Sequence, residues 1–250
     1  MPRLSIITVT YQAAPVLPIT LNSVESQSWD DWEHIFVDGG STDQTLALIQ
    51  DYAQKVSRVR WISEKDRGIY DAMNKGLRLA EGEYVTFLNA GDAFWERNTL
   101  EKLFTGAPAG VQVLYGDHRY VNLKGEILPR RRPRPYPRGS LRLSHFRTGM
   151  AIAHQGLFVR REIAPEYDLS YPLAADLDWA IHLMKQNPST YDSGQVVIRY
   201  LEGGVSARRL RRYIWERTRI LYKHFGWEAV LDSLYAMLRH KLLGGYPFVE

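Results

Sequence analysis

The chain has 250 residues, of which 45% are hydrophobic and 24% are charged, and its formal net charge is +4. This composition is typical of a globular protein with a real core, and the length allows one large domain or one domain with an extension. Cysteine is absent, which excludes disulfide bonds and cysteine-ligated metal sites and is compatible with a reducing compartment.

The first residues predict neither a signal peptide nor a membrane span. The apolar run at residues 4–9 is short, and no clean small-residue cleavage site follows it. Residues 4–24 carry no charge, but two prolines and several threonine, serine and asparagine residues make this stretch a poor membrane span. We therefore expect a cytoplasmic protein that is soluble, or peripheral on the inner face of the membrane.

The first hundred residues alternate between predicted strands and predicted helices. Short apolar runs, several of them β-branched, predict the strands, and apolar residues at helical spacing predict the helices between them. Such alternation with near-continuous apolar strands predicts an α/β fold whose mostly parallel sheet is covered by helices on both faces. The predicted strands are 4–9, 34–38, 59–63 and 84–88, and the predicted helices are about 18–27, a segment around 46–53, and 69–80.

Polar or acidic side chains follow every one of these predicted strands. In open α/β sheets, ligands bind beyond the carboxyl ends of the strands, so these groups are expected to share one site. The alternative is that they are ordinary turn residues. The groups are Thr10-Tyr11 after the first strand, Asp38 to Asp43 after the second, Glu64 and Asp66 after the third, and Asn89 to Asp92 after the fourth.

The pattern changes after residue 100. We expect a hairpin-like strand pair, an irregular arginine- and proline-rich segment, a strand with His154 and Gln155 in its middle, and a helix with Asp176 and Asp178 near its start. A last strand with a glycine turn and two helices complete the chain. The strand pair is 113–121 with 124–129, the arginine- and proline-rich segment is 129–137, and the strand with His154 is 150–161. The helix is 174–186, the last strand with its turn is 195–206, and the two helices span about 208–243.

Two segments concentrate the positive charge. Residues 129–147 contain seven arginines and no acid, and residues 208–223 contain seven basic residues and one glutamate. Such segments favour phosphates, acidic glycans or an anionic membrane surface, although each is also compatible with a solvated basic face. Arg142 and Arg147 are candidates for contact with an acceptor or a phosphate.

Asp92 is the residue whose chemistry is most specific. A lone carboxylate at a strand end, without nearby cysteine or histidine in the sequence, suits Mg²⁺ or Mn²⁺, which take their other ligands from water and substrate phosphates. Such an ion neutralises a departing diphosphate. The alternative role for Asp92 is an N-cap for the segment that follows it.

Seven motifs together resemble family 2 glycosyltransferases of the GT-A fold, and most closely the small bacterial enzymes of the colanic-acid type that build exopolysaccharides. The resemblance covers residues 5 to about 206. It implies a GT-A catalytic domain at 1–206, with a nucleotide-binding half at about 1–100 and an acceptor half at about 101–206. Residues 207–250 would then form a basic, amphipathic helical extension. The motifs are SIITVTYQ, VDGGSTDQT, SEKDRGIYDAMNKG, FLNAGD, HQGLF, AADLDW and GGVS.

The resemblance implies roles for residues on the donor side. Thr10 and Tyr11 match the loop that lies against the nucleotide base and ribose. Asp38 matches the acid that contacts the base, and Asp66 the acid that closes this pocket. The implied donor is a UDP- or GDP-linked sugar.

The resemblance also implies the metal site. Asn89 to Asp92 stands at the position of the family's Asp-X-Asp motif, whose last acid binds the metal. Depending on the register, Asn89 stands in place of the first acid or that acid is absent, and either way Asp92 is left as the one charged ligand. His154 and Gln155 match a motif near the reaction centre, where His154 is a candidate second ligand or phosphate contact. A histidine in an apolar strand can equally be a satisfied structural residue.

Asp176 matches the family's catalytic base, with Asp178 as the rival assignment and helix capping as the alternative role. The resemblance implies inverting, metal-assisted transfer of one sugar to a saccharide acceptor that is lipid-linked in most of the family.

A nucleotidyltransferase is disfavoured, because the segment TYQAAP after the first strand lacks the glycine and the basic residue of a phosphate-binding loop. A degenerate protein that binds nucleotide, phosphate, membrane or nucleic acid through its arginines is the alternative. We expect no nucleic-acid partner, because no RRM, KH or zinc pattern is present.

Overall fold

The computed structural model describes residues 2–128, 136–203 and 209–242, with the backbone alone at 239–242. Within these ranges an eight-stranded sheet has the order β3-β2-β1-β4-β7-β6-β8-β5. The strands are β1 (Leu4–Thr10), β2 (Trp32–Asp38), β3 (Val59–Ser63), β4 (Tyr84–Phe87), β5 (Ala93–Phe94), β6 (Val113–Val121), β7 (Leu157–Arg160) and β8 (Thr190–Leu201). The predicted glycine turn at 203–206 and the predicted segment at 129–137 lie largely outside the described residues.

In the part of the chain that the structure describes, six α-helices flank the sheet. They are α1 (Leu17–Glu25), α2 (Thr45–Lys55), α3 (Ile69–Leu79), α4 (Thr99–Gly106), α5 (Ala175–Lys185) and α6 (Leu210–Leu242). Strands β3, β2, β1 and β4 are parallel, as predicted. The other half is mixed, because β7 runs antiparallel to both β4 and β6, while β8 runs parallel to β6. Every residue of β1 and β2 is buried, as expected for strands covered on both faces. Their polar residues pair across the two strands, Ser5 with Glu33, Thr8 with His34 and Thr10 with Asp38.

The predicted strand at 150–161 is wrong in its first half. Residues His154–Gly156 form a 3₁₀ turn, and the strand begins only at Leu157. The turn closes through the Gly156 amide, which donates to Ala153 O at 2.8 Å. Ala151 and Ile152, just before the turn, are buried as strand residues would be. The apolar pattern of the sequence therefore does not show that the strand begins only after the turn. The turn places His154 and Gln155 at a strand end.

The second strand of the predicted hairpin is also reduced. Among the described residues of 124–129, a single bridge joins Ile127 to Val121. The Asn122 side chain organises this turn, since its Oδ1 accepts from the Lys124 and Glu126 amides. A side chain that satisfies two backbone donors competes with a regular ladder.

The C-terminal region is helical, as predicted, and is divided into two segments. Gly226 has φ 76° and ψ −172°, a conformation that glycine adopts without steric cost, and it separates residues 210–225 from 227–242. Four α6 side chains enter the largest hydrophobic core together with residues of the sheet: Tyr213, Ile220, Leu221 and Val230. Within the described ranges, no helix has the length and hydropathy that crossing a membrane requires.

A buried hydrogen-bonded chain joins three central strands just below the site. The Thr8 hydroxyl donates to Leu88 O at 2.7 Å, so it accepts from His34 Nε2 at 2.9 Å. His34 is therefore neutral with its proton on Nε2, and its buried Nδ1 has no partner. Burial lowers the pKa of His34 from 6.5 to about 3. This chain supports the end of β4 where the Asn89–Asp92 loop begins.

His34 makes the fold sensitive to acid. The unfolded chain protonates this histidine below pH 6.5 whereas the folded chain does not until about pH 3, so its contribution to stability is present above 6.5 and is lost as pH falls. The loss is at most about 1.4 kcal/mol per pH unit. We expect His34→Gln, which keeps an N–H donor but does not titrate, to flatten the pH dependence of the free energy of unfolding in urea. Equal slopes for both proteins on the acid side would contradict this role.

Candidate functional site

The carboxyl ends of the four parallel strands meet at one edge of the sheet, and the candidate residues divide there into two groups. The donor-side group is Thr10, Tyr11, Asp38 and Asp66. The reaction-side group combines the turn after β4, the 3₁₀ turn before β7 and the start of α5. It consists of Asn89, Asp92, His154, Gln155 and Asp176.

Asp38 organises the donor-side loops. Its carboxylate is fully buried and accepts from the hydroxyls of Thr10 (3.0 Å), Ser41 (2.5 Å) and Ser63 (2.7 Å). The amides of residues 40 and 41 donate to it as well. Burial alone would raise the pKa of Asp38, but these hydrogen bonds outweigh it and hold the pKa below its ordinary value. Five donors saturate a carboxylate, so a nucleotide base would have to replace one of them.

A second contact shapes the same pocket. Asp66 lies over Gly39 so closely that a β-carbon at residue 39 would collide with Asp66 Oδ2, and the Tyr11 ring is the next neighbour of that position. Asp66 Oδ1 accepts from the Gly68 amide at 2.8 Å. Tyr11 is 68% exposed, although most large apolar and aromatic side chains of the first hundred residues are buried. The structure therefore brings Tyr11, Gly39 and Asp66 together around an open aromatic face.

Asp92 is a buried carboxylate held by two donors. Gln155 Nε2 donates to its Oδ2 at 3.1 Å, and the Leu201 amide of β8 donates to its Oδ1 at 2.9 Å. Burial raises the pKa of Asp92 to about 7, against the effect of these hydrogen bonds. The next helix begins only at Thr99, so Asp92 does not act as its N-cap.

The turn that carries Asp92 is fixed from α1. The Thr20 hydroxyl donates to Asp92 O at 2.8 Å and accepts from the Gly91 amide at 2.9 Å. Gly91 has φ 96°, which a residue with a β-carbon rarely adopts. The Asp92 carboxylate therefore projects from a turn that is held by backbone geometry and by the Thr20 side chain, 72 residues earlier in the sequence.

Three buried polar atoms beside Asp92 have no hydrogen-bond partner. They are half of the six such side-chain atoms in the described ranges: Asn89 Oδ1, His154 Nε2 and Gln155 Oε1. An unpaired buried polar atom costs about 1–3 kcal/mol, so a folded protein seldom retains several at one place without a ligand. The two amide oxygens can bind a divalent cation or accept from a sugar hydroxyl, and the histidine nitrogen can bind a cation or donate to a phosphate.

Asp176 lies on the other side of this group, at the start of α5. Its Oδ1 accepts from the Tyr70 hydroxyl at 3.2 Å and from the Leu177 amide at 2.9 Å. Its Oδ2 is 3.7 Å from His154 Nδ1, too far for a hydrogen bond, and its side chain is 18% exposed. The N-cap of α5 is Ala174, so Asp176 is not the helix cap that one alternative predicted, and its Oδ2 accepts no hydrogen bond within the described residues.

Asp178 is separated from this group by its neighbours. Its buried carboxylate accepts from Lys223 Nζ at 3.2 Å, and it contacts His224 Nε2 at 2.7 Å and His182 Nδ1 at 3.2 Å. Burial would raise the pKa of Asp178, but the hydrogen bonds from His224 and Lys223 outweigh it and lower the pKa. A carboxylate enclosed in this way lacks the free oxygen that a general base or an acceptor contact requires, so the structure does not support the rival assignment.

Asp178, His182 and His224 form the one group of three metal-type side chains among the described residues. Lysines surround it, however. Lys185 Nζ lies 2.7 Å from His224 Nδ1, and Lys223 occupies one Asp178 oxygen. A metal-bound histidine needs an acceptor for its other ring nitrogen, and an ammonium is a donor. This cluster is better described as an ion-pair contact between α5 and α6.

The two arginine candidates differ in their partners. Arg147 donates to Glu228 at 2.9 Å and to Asp232 at 3.2 Å, both on α6, and these bonds raise its pKa. Arg142 is exposed, and its Nε donates to Ser140 at 3.3 Å. The structure thus uses Arg147 to attach α6, which the sequence did not indicate, and leaves Arg142 accessible.

Some residues of the site could not be found by motif. Tyr70 lies within the motif SEKDRGIYDAMNKG, but nothing in the sequence pairs it with Asp176. Thr20 and the Leu201 amide have no sequence signal either. Their roles depend on contacts across 71 to 109 residues, such as the hydrogen bonds from the Gly91 amide to Thr20 and from the Leu201 amide to Asp92.

The chain resembles known proteins over most of its length. The model of glycosyl transferase family 2 matches residues 5–167. The PGL/p-HBAD biosynthesis glycosyltransferase of Mycobacterium bovis (strain BCG / Pasteur 1173P2) is 36% identical over 217 residues, which cover 82% of this chain and 79% of that protein.

Two solved structures share the fold. The crystal structure of S. aureus TarS 1-349 in complex with UDP superposes on this chain with a TM-score of 0.68. The two sequences are 19% identical, and the match covers 96% of this chain and 72% of TarS 1-349. Mannosyltransferase PcManGT from Pyrobaculum calidifontis, in complex with GDP-Man and Mn²⁺, has a TM-score of 0.63 at 20% identity, covering 98% and 76%. Together with the family match, the mostly parallel sheet and the residues gathered at its edge show that this chain belongs to glycosyltransferase family 2 and has the GT-A fold.

Proposed function

We propose that this glycosyltransferase moves one sugar from a nucleoside diphosphate sugar to a hydroxyl of a saccharide acceptor, with inversion at the anomeric carbon. The observation that carries the proposal is the buried Asp92 carboxylate beside three unpaired polar atoms, with the partly exposed Asp176 nearby in the same site. A nucleoside diphosphate sugar supplies the phosphates and hydroxyls that such a set of atoms can bind.

The donor-side group suits a nucleoside. Tyr11 offers an exposed ring for stacking with a base, which contributes about 1–3 kcal/mol in comparable contacts. Thr10 donates to Asp38, which stabilises the loop after β2, and Asp66 and the Tyr11 ring both lie against Gly39 of that loop. The solved relatives of the same fold hold UDP and GDP-Man, which supports UDP or GDP as the carrier.

Asp92, Asn89 and His154 would hold a divalent ion, Mn²⁺ or Mg²⁺. The fit is good for an ion that shares its coordination with substrate, since one carboxylate and two unpaired acceptor atoms leave positions for diphosphate oxygens and water. When bound, the ion would stabilise the charge of the leaving diphosphate. Gln155 orients the Asp92 carboxylate through its side-chain NH₂ group, and its own buried oxygen has no hydrogen-bond partner.

Asp176 would accept the proton of the attacking hydroxyl. Tyr70 and the Leu177 amide hold one carboxylate oxygen, and the other has no hydrogen-bond donor and could accept a proton. A proton acceptor placed in this way is worth about 10²–10⁴ in rate. In an inverting transfer no second carboxylate is needed, which agrees with the enclosed state of Asp178.

The outer face of α6 suits a lipid surface, and this favours a lipid-linked acceptor in the synthesis of a cell-surface glycan. The Tyr222 and Trp227 rings lie 4.7 Å apart and join the exposed side chains of both helical segments into one face. Among the described residues, Arg211 and Arg219 of this region have no carboxylate partner. Aromatic and aliphatic groups beside arginine are typical of helices that lie at a membrane interface. The exposed face consists of Trp215, Tyr222, Trp227, Leu231, Leu234, Tyr235 and Leu238.

A catalytically degenerate nucleotide-binding protein is the second candidate. Asn89 stands where the family carries an acid, and the described residues contain no group of three metal-type side chains that includes Asp92. If this candidate were correct, nucleotide would bind without turnover.

The donor site is tested by calorimetric titration of UDP and GDP with and without Mn²⁺. We expect one nucleotide to bind more tightly with Mn²⁺, and Asp92→Ala to lose this metal-dependent gain, because the charged ligand of the ion is removed. The control is Asp51→Ala, which deletes an exposed carboxylate on α2. Metal-independent binding that survives in Asp92→Ala would contradict the metal assignment.

The base is tested by substitution of Asp176. We expect Asp176→Asn to lower kcat by about 10²–10⁴ while the affinity for the nucleotide is unchanged. The exposed Glu166→Gln serves as a control for the loss of one negative charge near α3. Donor hydrolysis or transfer at the wild-type rate in Asp176→Asn would show that another group accepts the proton.

The lipid surface is tested by co-sedimentation with vesicles. We expect the full chain to bind vesicles of phosphatidylcholine and phosphatidylglycerol in equal amounts more strongly than phosphatidylcholine alone. Trp227→Ser with Leu231→Ser should weaken binding about tenfold or more, because two exposed apolar side chains no longer enter the interface. Trp61→Ser, at an exposed aromatic residue on β3, should bind as wild type. Equal loss in both variants would contradict docking through α6.

A further inference from the structure

We infer that Glu216 on α6 is a positioning residue for Asp176, and that the first segment of α6, residues 210–225, is therefore a working part of the catalytic unit and not an appended extension. The inference rests on the proposed role of Asp176 as proton acceptor. It extends that role to a residue that no motif singles out.

Glu216 supplies an anchor that α5 lacks. The residue that precedes this helix, Ala174, has no side chain that can cap it. The fully buried Glu216 Oε2 instead accepts from the Leu173 amide at 2.8 Å and from the Ala174 amide at 3.1 Å. A carboxylate at the start of a helix is also favoured by the helix dipole. One side chain of α6 thus fixes the two residues that lead into α5.

The charge of Glu216 is compensated within α6. Its second oxygen, Oε1, accepts from Arg212 Nε at 2.9 Å, one helical turn earlier. A buried carboxylate is costly unless all its oxygens are paired, and here three donors share it. Glu216 therefore carries no uncompensated charge inside the protein, because Arg212 pairs with one of its oxygens and two amides pair with the other.

Two further residues on the same face of α6 hold the chain on the C-terminal side of Asp176. Lys223 and His224 bind the buried Asp178 carboxylate, and Lys223 also lies 3.8 Å from Asp168. Residues 216, 223 and 224 are spaced by seven and eight, so they project from one face of the helix. The segment from 168 to 178 is thus attached to α6 on both sides of the proposed base.

The position of Asp176 depends on these attachments. Asp176 is the second residue of α5, only two residues after the amide that Glu216 holds. Without that acceptor, two buried amides lose their partner and the start of α5 can shift. A displacement of about 1 Å in a reacting group can cost on the order of 10² in rate. The nucleotide site depends on loops in the first hundred residues and should not be affected.

The test compares Glu216→Ala and Glu216→Gln with Asp51→Asn, a control at an exposed carboxylate of α2 that makes no hydrogen bond or ion pair with α5 or α6 among the described residues. We expect Glu216→Ala to lower kcat on the order of 10²-fold, with the affinity for the nucleotide and the KM for the donor within about twofold of wild type. Glu216→Gln keeps an oxygen for both amides, and the half-exposed Arg212 can turn to solvent, so kcat should recover to within about fivefold. The control should behave as wild type.

Hydrogen exchange gives a readout that does not require activity. We expect the amides of residues 173–177 to exchange about tenfold faster in Glu216→Ala, with exchange in β1 unchanged. An unchanged kcat in a folded Glu216→Ala overturns the inference. A nucleotide affinity that falls in parallel with kcat also overturns it, because the role would then be general stability.

Two outcomes separate this inference from the proposed function. If the wild-type protein binds nucleotide but transfers and hydrolyses no sugar, the proposed function fails, and the exchange rates at 173–177 alone decide whether Glu216 holds this segment. If Glu216→Ala does not fold, Glu216→Asp decides, because it keeps the charge but is one methylene too short to reach both the Leu173 and Ala174 amides. A lowered kcat with faster exchange at 173–177 and unchanged nucleotide affinity then supports positioning, and wild-type values in all three overturn it.

Discussion

The site is built around the constraint of placing a carboxylate inside the protein at the end of a central strand. Asp92 is buried and is held by an amide side chain from the turn before β7 and a backbone amide from β8. Three chain segments that are far apart in sequence therefore meet at one carboxylate. Burial raises its pKa to about 7, which means that the ionised carboxylate is less stable there than in water, and a bound divalent ion would stabilise it. The unpaired atoms around it follow from the same arrangement.

The two halves of the site use carboxylates in different ways. On the donor side, Asp38 is saturated by hydroxyl and amide donors, and its effect is to fix the shape of two loops. On the reaction side, Asp176 is only partly satisfied, and one of its oxygens remains open. The number of donors around each acid separates a structural carboxylate from one that can exchange a proton or bind a ligand. By this criterion Asp178 belongs with Asp38.

Helix α6 connects the site to the surface. Its inner face joins the main core and holds the start of α5 through Glu216, while its outer face exposes Trp227 and Leu231. Both faces of α6 therefore carry apolar side chains, and the inner face also carries the polar residues that hold α5. The sequence of α6 consequently lacks the division into one apolar and one polar face that marks an ordinary surface helix. Its two roles can therefore be recognised only when its neighbours are known.

The sequence by itself determined the alternation of strands and helices, the parallel order of the first four strands, and the collection of polar groups at their carboxyl ends. Those features depend on local periodicity and on the general geometry of α/β sheets. It also supported the family, through motifs that include Asp92 and Asp176. Only the tertiary structure decided that residues 154–156 form a turn, that Asp178 is enclosed by α6, and that Glu216 anchors α5. These depend on contacts between distant segments, which local patterns do not encode.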